Sequence, residues 1–176
     1  MKTLTLLRHA KSGGDEPGLR DFDRPLNAKG RRAAETIGRH LHAEGFAFDR
    51  VVASPAVRVA ETLEAVGEGY GASLRPDWDR RLYLAAAETL LDVAREQIAE
   101  RVLMVGHNPG LEELVLMLAP ACADGLRGAV ERKYPTASIA ELQVEGDWAA
   151  LDTGGATLTR FVRPRDLDPS LGPDAD

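Results

Sequence analysis

The sequence predicts a three-layer α/β/α sandwich around a mostly parallel central sheet with an antiparallel element. Three observations predict it. Short apolar, β-branched runs alternate with segments whose apolar residues recur at helical spacing. Twice, an apolar run ends in a polar residue and a proline just before a helical pattern, as at Ser54-Pro55 and Asn108-Pro109. Late in the chain, two segments flanking Glu145-Gly146-Asp147 read as a hairpin, the source of the antiparallel element. With 176 residues the chain is long enough for one domain with a substantial core. We expect that domain over residues 1–163, and the Pro- and Asp-rich residues 164–176 as a disordered tail.

Taken in order, Thr3 to Leu7 is a strand buried on both faces, apolar and unbroken by charge. Residues 12–29 form a Gly-, Asp- and Arg-rich loop with two prolines. A helix follows from Arg31 to Ala43, with Ala33, Ile37 and Leu41 as its buried stripe. Val51 to Ala53 is the second strand, and Ser54 caps a helix with Pro55 at its first position. Val59, Leu63 and Val66 mark the inner face of that helix, and Gly67, Gly69 and Gly71 end it. Ala72 to Arg75 reads as a short strand, and Glu88 to Ala99 as a helix with Leu91, Ala94 and Ile98 inward. Val102 to Val105 is the most strongly patterned strand; Gly106 turns it, Asn108 caps and Pro109 opens the next helix. In that helix Leu111, Leu114, Val115 and Leu118 follow the i, i+3, i+4, i+7 spacing. Residues 119–136 read as loop, and Ile139–Val144 with Trp148–Leu151 as the hairpin.

Composition narrows the function. A net charge of −6 argues against nucleic-acid binding, which needs a basic face. The single cysteine, Cys122, excludes an internal disulfide and reads as an inert packing or loop thiol. The apolar run before Arg8 is too short for a secretory signal, and no segment has the length of a membrane span, so a cytoplasmic protein is expected. His40 and His42 are two apart on one helix and point to different faces, with no cysteine or carboxylate cluster to complete a zinc site. Asp21 and Asp23 read as solvated loop charges, and Trp148 as hairpin packing. No metal and no cofactor are expected.

The chemistry gathers at the strand ends. In open α/β sheets, ligands bind beyond the carboxyl ends of the strands. Here those ends carry Arg8-His9, Ser54-Pro55 and Gly106-His107. Arg8 offers a planar fork that matches phosphate oxygens. Arg58, in the first turns of its helix, leans back toward the same rim. His107 precedes a helix start and can donate to a phosphoryl oxygen. His9 is the nucleophile candidate: if one ring nitrogen donates to a backbone carbonyl, the other keeps its lone pair for phosphorus.

These motifs also carry a resemblance. Arg8-His9-Ala10 resembles the Arg-His-Gly signature of the histidine phosphatase superfamily, the phosphoglycerate-mutase-like fold. Ser54-Pro55-Ala56-Val57-Arg58-Val59-Ala60-Glu61-Thr62 is similar to its Ser-Pro-x-x-Arg-x-x-x-Thr motif, and Val105 to Gly110 to its second-histidine motif. Chain length, Arg24-Pro25-Leu26, Leu82-Tyr83 and Tyr134-Pro135-Thr136 narrow the likeness to the small SixA-like phosphohistidine phosphatase branch. The resemblance implies that His9 accepts the phosphoryl group, that Arg8, Arg58 and His107 bind it, and that Arg24 is a further phosphate contact.

Two departures stand out. Ala10 replaces the motif glycine, and the glutamate that larger relatives carry after the third strand is missing from Arg80-Arg81-Leu82-Tyr83. Asp79 and Glu88 are the nearby carboxylates that would have to stand in. A sugar alkoxide leaving group needs a positioned acid, whereas a phosphoramidate nitrogen can carry its own proton. The expectation is therefore a metal-independent phosphatase with a phosphohistidine intermediate. Its expected partner is a phosphorylated protein such as a histidine-phosphotransfer domain, or else a small phosphoester. The alternatives are a broad small-molecule phosphomonoesterase and an inactive phosphate- or phosphoprotein-binding module.

Overall fold

The computed structural model describes residues 1–13, 16–120 and 125–172. Cys122 lies outside the described residues. Strands are β1 (Lys2–Arg8), β2 (Arg50–Ala53), β3 (Asp77–Trp78), β4 (Arg101–Gly106), β5 (Ile139–Val144) and β6 (Ala156–Val162). Helices are α1 (Ala28–Ala43), α2 (Val57–Tyr70), α3 (Ala87–Arg95), α4 (Gly110–Leu118), α5 (Leu126–Arg132) and the short α6 (Pro164–Leu167). The sheet order is β3-β2-β4-β1-β5-β6. The first four of these run parallel, and β5 and β6 are antiparallel, as the sequence pattern predicts.

Alternate residues of each central strand feed two cores. Val102 and Met104 face the layer of α3, α4 and α5, while Leu103 and Val105 face the layer of α1 and α2. Both faces are covered, so β4 is apolar at every position from Val102 to Val105. Among the described residues no helix is long and apolar enough to cross a membrane.

Helices α1 and α2 meet at a glycine pair. A Cβ on Gly38 would run into the Val66 carbonyl, and one on Gly69 into the Glu35 carbonyl. Backbone cannot yield there as a flexible side chain would. Gly38→Ala should therefore lower stability by about 1–3 kcal/mol, the usual cost of overpacking, read as the urea midpoint. An unchanged midpoint would contradict the close crossing.

Several boundaries differ from expectation. Helix α1 starts at Ala28, because Asn27 Oδ1 accepts from the Gly30 amide at 2.7 Å. Helix α2 continues through Gly67 and Gly69, and only Gly71, left-handed at φ 85°, ends it. Residues 72–75 are not a strand; β3 is the exposed pair Asp77–Trp78, which has no apolar pattern because it lies at the sheet edge. Helix α3 stops at Arg95, leaving Ile98 96% exposed rather than inward. Residues 126–132, expected as loop, form α5. The hairpin partner of β5 is β6, not Trp148–Leu151. Trp148 opens a 3-10 turn, is buried, and donates to the Ala99 carbonyl at 2.6 Å.

The expected disordered tail is also corrected through Gly172. Residues 164–171 form two helical turns, Asp166 caps the first, and Leu171 is buried in the α1/α2 core. Composition misleads here because Leu167 and Leu171, from the two successive turns, both pack into the α1/α2 core and anchor a Pro- and Asp-rich segment.

Candidate active site

Strand register assembles the site. Arg8 pairs with Gly106 and Ala53 with Val105, so the three strands end level. The His9 amide donates to the Gly106 carbonyl and the Ser54 amide to the Val105 carbonyl, each at 3.1 Å. His9, Ser54 and His107 therefore emerge side by side at the carboxyl rim. The two histidine rings lie 5.3 Å apart, centroid to centroid. Arg8, His9, Arg24, Arg58 and His107, all five expected site residues, line one cleft of about 230 Å³.

Each side chain is held. His9 Nδ1 lies 2.7 Å from the Ala10 carbonyl. That oxygen can only accept, so Nδ1 carries the proton and Nε2 keeps its lone pair. Thr62 accepts from the Ala10 amide at 2.8 Å and donates to the Arg58 carbonyl at 2.6 Å, tying the segment after His9 to α2. The motif threonine thus has a positioning contact that motif spacing alone did not specify.

Arg58 is almost fully buried. Its Nη1 donates to the Asp21 carbonyl at 2.7 Å and its Nη2 to Asp21 Oδ2 at 3.0 Å. The other Asp21 oxygen accepts from Arg24 at 3.1 Å, and Tyr83 donates its hydroxyl to Oδ2 at 2.6 Å. Asp21, expected as a solvated charge, is instead the clasp that joins two arginines from different segments. The Tyr83 hydroxyl holds its carboxyl down at about 2, helped by Arg58 and Arg24. Asp23 pairs with exposed Arg20. Arg8 donates from Nη1 to the Tyr134 carbonyl at 2.9 Å, and Arg24 donates to Ser12 Oγ at 2.7 Å.

Of the two expected caps, one keeps that work. The N-cap of α2 is Ala56, and Ser54 Oγ lies 2.8 Å from His107 Nε2. Pro109 holds the N-cap position of α4, yet Asn108 Oδ1 still accepts from the first-turn amide of Glu112 at 3.2 Å, as a capping side chain does. His107 Nδ1 sits 3.4 Å from Arg58 Nη2, a donor that cannot accept. The arrangement therefore assigns His107 the tautomer with Nδ1 accepting and Nε2–H donating to Ser54. In this tautomer both of its nitrogens are engaged within the protein.

Burial, with the positive charges of Arg8, Arg58 and Arg24, lowers His9 to about 4. Burial, His9 and Arg58 lower His107 to about 3, with Asp21 opposing. Both rings are neutral at pH 7. An unfolded histidine takes a proton near ~6.5, so below that pH the unfolded chain binds protons the fold refuses. The contribution of the neutral histidines is complete above pH 6.5 and is lost as pH falls, down to about 4 for His9. The slope should approach on the order of 1 kcal/mol per pH unit for each histidine, read from melting temperatures at pH 7, 6 and 5. His9→Gln should flatten that slope; the same slope in both proteins would contradict it.

The carboxylates named as stand-ins for the missing glutamate lie elsewhere. Asp79 pairs with Arg81 at 2.8 Å and lines a different cleft beside β3. Glu88 is exposed in the first turn of α3. Among the described residues lining the His9 cleft there is no carboxylate. His42 packs edge-on to Tyr70, away from the cleft.

A sequence model of the histidine phosphatase superfamily (branch 1) matches residues 4–83. The uncharacterized protein Rv1276c of Mycobacterium tuberculosis is 36% identical over 164 residues, covering 90% of this chain and 100% of that protein. A solved structure from Nakamurella multipartitia, provisionally named phosphohistidine phosphatase SixA, is 32% identical with a TM-score of 0.80 and covers 93% of this chain and 96% of that one. The chain belongs to the histidine phosphatase superfamily. A second structure with the same provisional name, from Agrobacterium tumefaciens, is 30% identical with a TM-score of 0.76 over 93% of this chain and 98% of that one. The likeness to these structures takes in the six-stranded mixed sheet, and superfamily membership supports phosphatase activity for the chain.

Proposed function

We propose that this histidine phosphatase hydrolyses phosphohistidine on a partner protein, through a phosphoryl group carried on His9 Nε2. One observation carries the reading: the Ala10 carbonyl holds the His9 ring in the tautomer that leaves Nε2 nucleophilic. The cleft around it carries three arginines and no carboxylate among its described lining residues.

The reaction runs in two displacements. His9 Nε2 attacks phosphorus, the Nε2–P bond forms and the P–N bond to the substrate imidazole breaks. The substrate imidazole leaves neutral because its other ring nitrogen carries a proton while the departing nitrogen takes the P–N electron pair. Water then attacks phosphorus, the His9 Nε2–P bond breaks, and inorganic phosphate leaves. Arg8, Arg24 and Arg58 hold the equatorial oxygens and neutralise their charge, which is most of what phosphoryl transfer asks of a protein. His107 donates to a phosphoryl oxygen only as the imidazolium: the dianion's charge raises its proton affinity, and a protonated Nδ1 gives up its contact with Arg58 Nη2 and turns to the phosphoryl group. Three guanidinium groups supply the charge that a metal ion would otherwise bring.

The partner is a phosphorylated protein of the histidine-phosphotransfer type, whose exposed imidazole the cleft can reach. A cleft without a carboxylate acid disfavours alkoxide leaving groups, and so disfavours a broad phosphomonoesterase. A binding module would not need the His9 tautomer.

The test compares phosphate release from a histidine-phosphorylated phosphotransfer domain and from an aryl phosphate, with wild type and His9→Ala. Faster release from the phosphodomain, by wild type only, is expected. Preference for the aryl ester would demote the phosphohistidine assignment, and tight phosphate binding without turnover would establish the binding module.

A further inference from the structure

Leu84 combines two features that rarely meet in one residue. Its backbone is left-handed, at φ 50°, and its side chain is 56% exposed. The left-handed conformation crowds Cβ against a carbonyl, so a bulky residue there is an outlier, whereas glycine or asparagine adopts it readily. The surrounding fold enforces the turn. Leu82 is buried in the core, and the Tyr83 hydroxyl is fixed on Asp21 at 2.6 Å. On the other side the Ala85 carbonyl abuts Gly110 so closely that a Cβ there would strike it. With both flanks pinned, residue 84 keeps a strained backbone. That accounts for the turn but not for the leucine, whose exposed side chain gains little burial within this chain.

The position of Leu84 indicates what would cover it. Met1, Leu19, Trp78, Leu84 and Ile98 are the exposed large apolar side chains among the described residues, and only Leu84 lines the His9 cleft. It is the one wholly hydrocarbon side chain among the described residues lining that cleft. His9 is 9% exposed, so the nucleophile lies at the floor and Leu84 at the mouth. In-line displacement puts the leaving group opposite the attacking nitrogen, on the side of the mouth. The arginines take the phosphoryl oxygens, which leaves Leu84 to the carbon-bearing part of the substrate. A flat heteroaromatic ring offers a leucine more contact than a slender alkyl stem.

We propose that Leu84 is a specificity-determining residue, packing on the imidazole ring of the substrate phosphohistidine at the cleft mouth. This rests on the reading of the His9 cleft as the phosphoryl site. Leu84 thereby selects ring-bearing leaving groups over slender ones.

Binding and stability test it apart from turnover. Two labelled peptides of one sequence carry a non-hydrolysable phosphonate, on a heteroaromatic ring in one and on an alkyl stem in the other. Fluorescence anisotropy should show wild type binding the ring peptide about tenfold more tightly, the scale of burying part of one leucine. Leu84→Asn should close that gap by weakening the ring peptide alone, while Leu84→Met should keep most of it. Because asparagine tolerates the left-handed backbone, Leu84→Asn should melt no lower than wild type, and up to about 4 °C higher. A leucine that merely held the fold together would behave otherwise: Leu84→Asn would melt lower and weaken both peptides alike, and either result overturns the proposal. So does a wild type without preference for the ring peptide, or a preference that survives in Leu84→Asn. Turnover of a phosphohistidine peptide is read separately. Its absence in wild type would overturn the proposed function, while the ring preference would still decide the role of Leu84.

Discussion

His9→Ala is expected to reduce kcat by at least about 10³-fold and to abolish the phosphoenzyme, the scale seen when a covalent nucleophile is removed. The wild-type protein, quenched during turnover with labelled substrate, should carry label that is released by acid and kept in alkali, as a phosphoramidate requires. The variant should carry none. The inference is sharp because the His9 ring has one contact that decides its tautomer, the 2.7 Å bond to the Ala10 carbonyl. Alanine removes the imidazole without disturbing that carbonyl, the Thr62 bridge to the Ala10 amide, or the strand pairing of β1. The variant should therefore still bind phosphate. Label in the variant would move the phosphoryl acceptor to another residue, and the neighbouring His107 would be the first to examine.

Arg58→Ala is expected to lower kcat/KM by about 10²–10³-fold, the size measured when one donor to a developing oxyanion is removed. Arg58→Lys should restore only part of this, because an ammonium cannot reproduce the fork that spans Asp21 and the cleft. Stability should change little by comparison. Asp21 loses one partner but stays 44% exposed by its side chain and keeps Arg24 and Tyr83. A second readout separates charge from packing. Arg58 is among the positive charges that hold both His9 and His107 down, so its removal should raise the pH at which each ring takes a proton. Ring-nitrogen NMR would follow this directly. Unmoved ring titrations would mean that the guanidinium does not act on the histidines.

The main strands and their chemistry were legible because they are buried on both faces. Four apolar residues in a row from Val102, ending in Gly106-His107, have few other readings in a chain that alternates with helices. What failed to read were elements stabilised by neighbours rather than by their own pattern. Strand β3 is two exposed residues that exist because β2 offers an edge. Ile98 looked inward by periodicity, but α3 ends before reaching it. Ser54 suits a cap by residue type, but its hydroxyl partners His107 instead. Nothing local pairs Asp21 with Tyr83: 62 positions separate them, Asp21 alone reads as a solvated charge, and Tyr83 enters only through the family likeness.

By itself the amino-acid sequence determined the α/β/α class, the strand ends that carry Arg8, His9 and His107, the helix start that carries Arg58, and membership of the histidine phosphatase superfamily. These follow from local hydrophobic period and from motifs written in contiguous residues. Only the tertiary structure decided the His9 tautomer and the Asp21 clasp on Arg58 and Arg24. Each of those depends on the direction of side chains from segments far apart in the chain, and directions of that kind are set by strand register and helix packing.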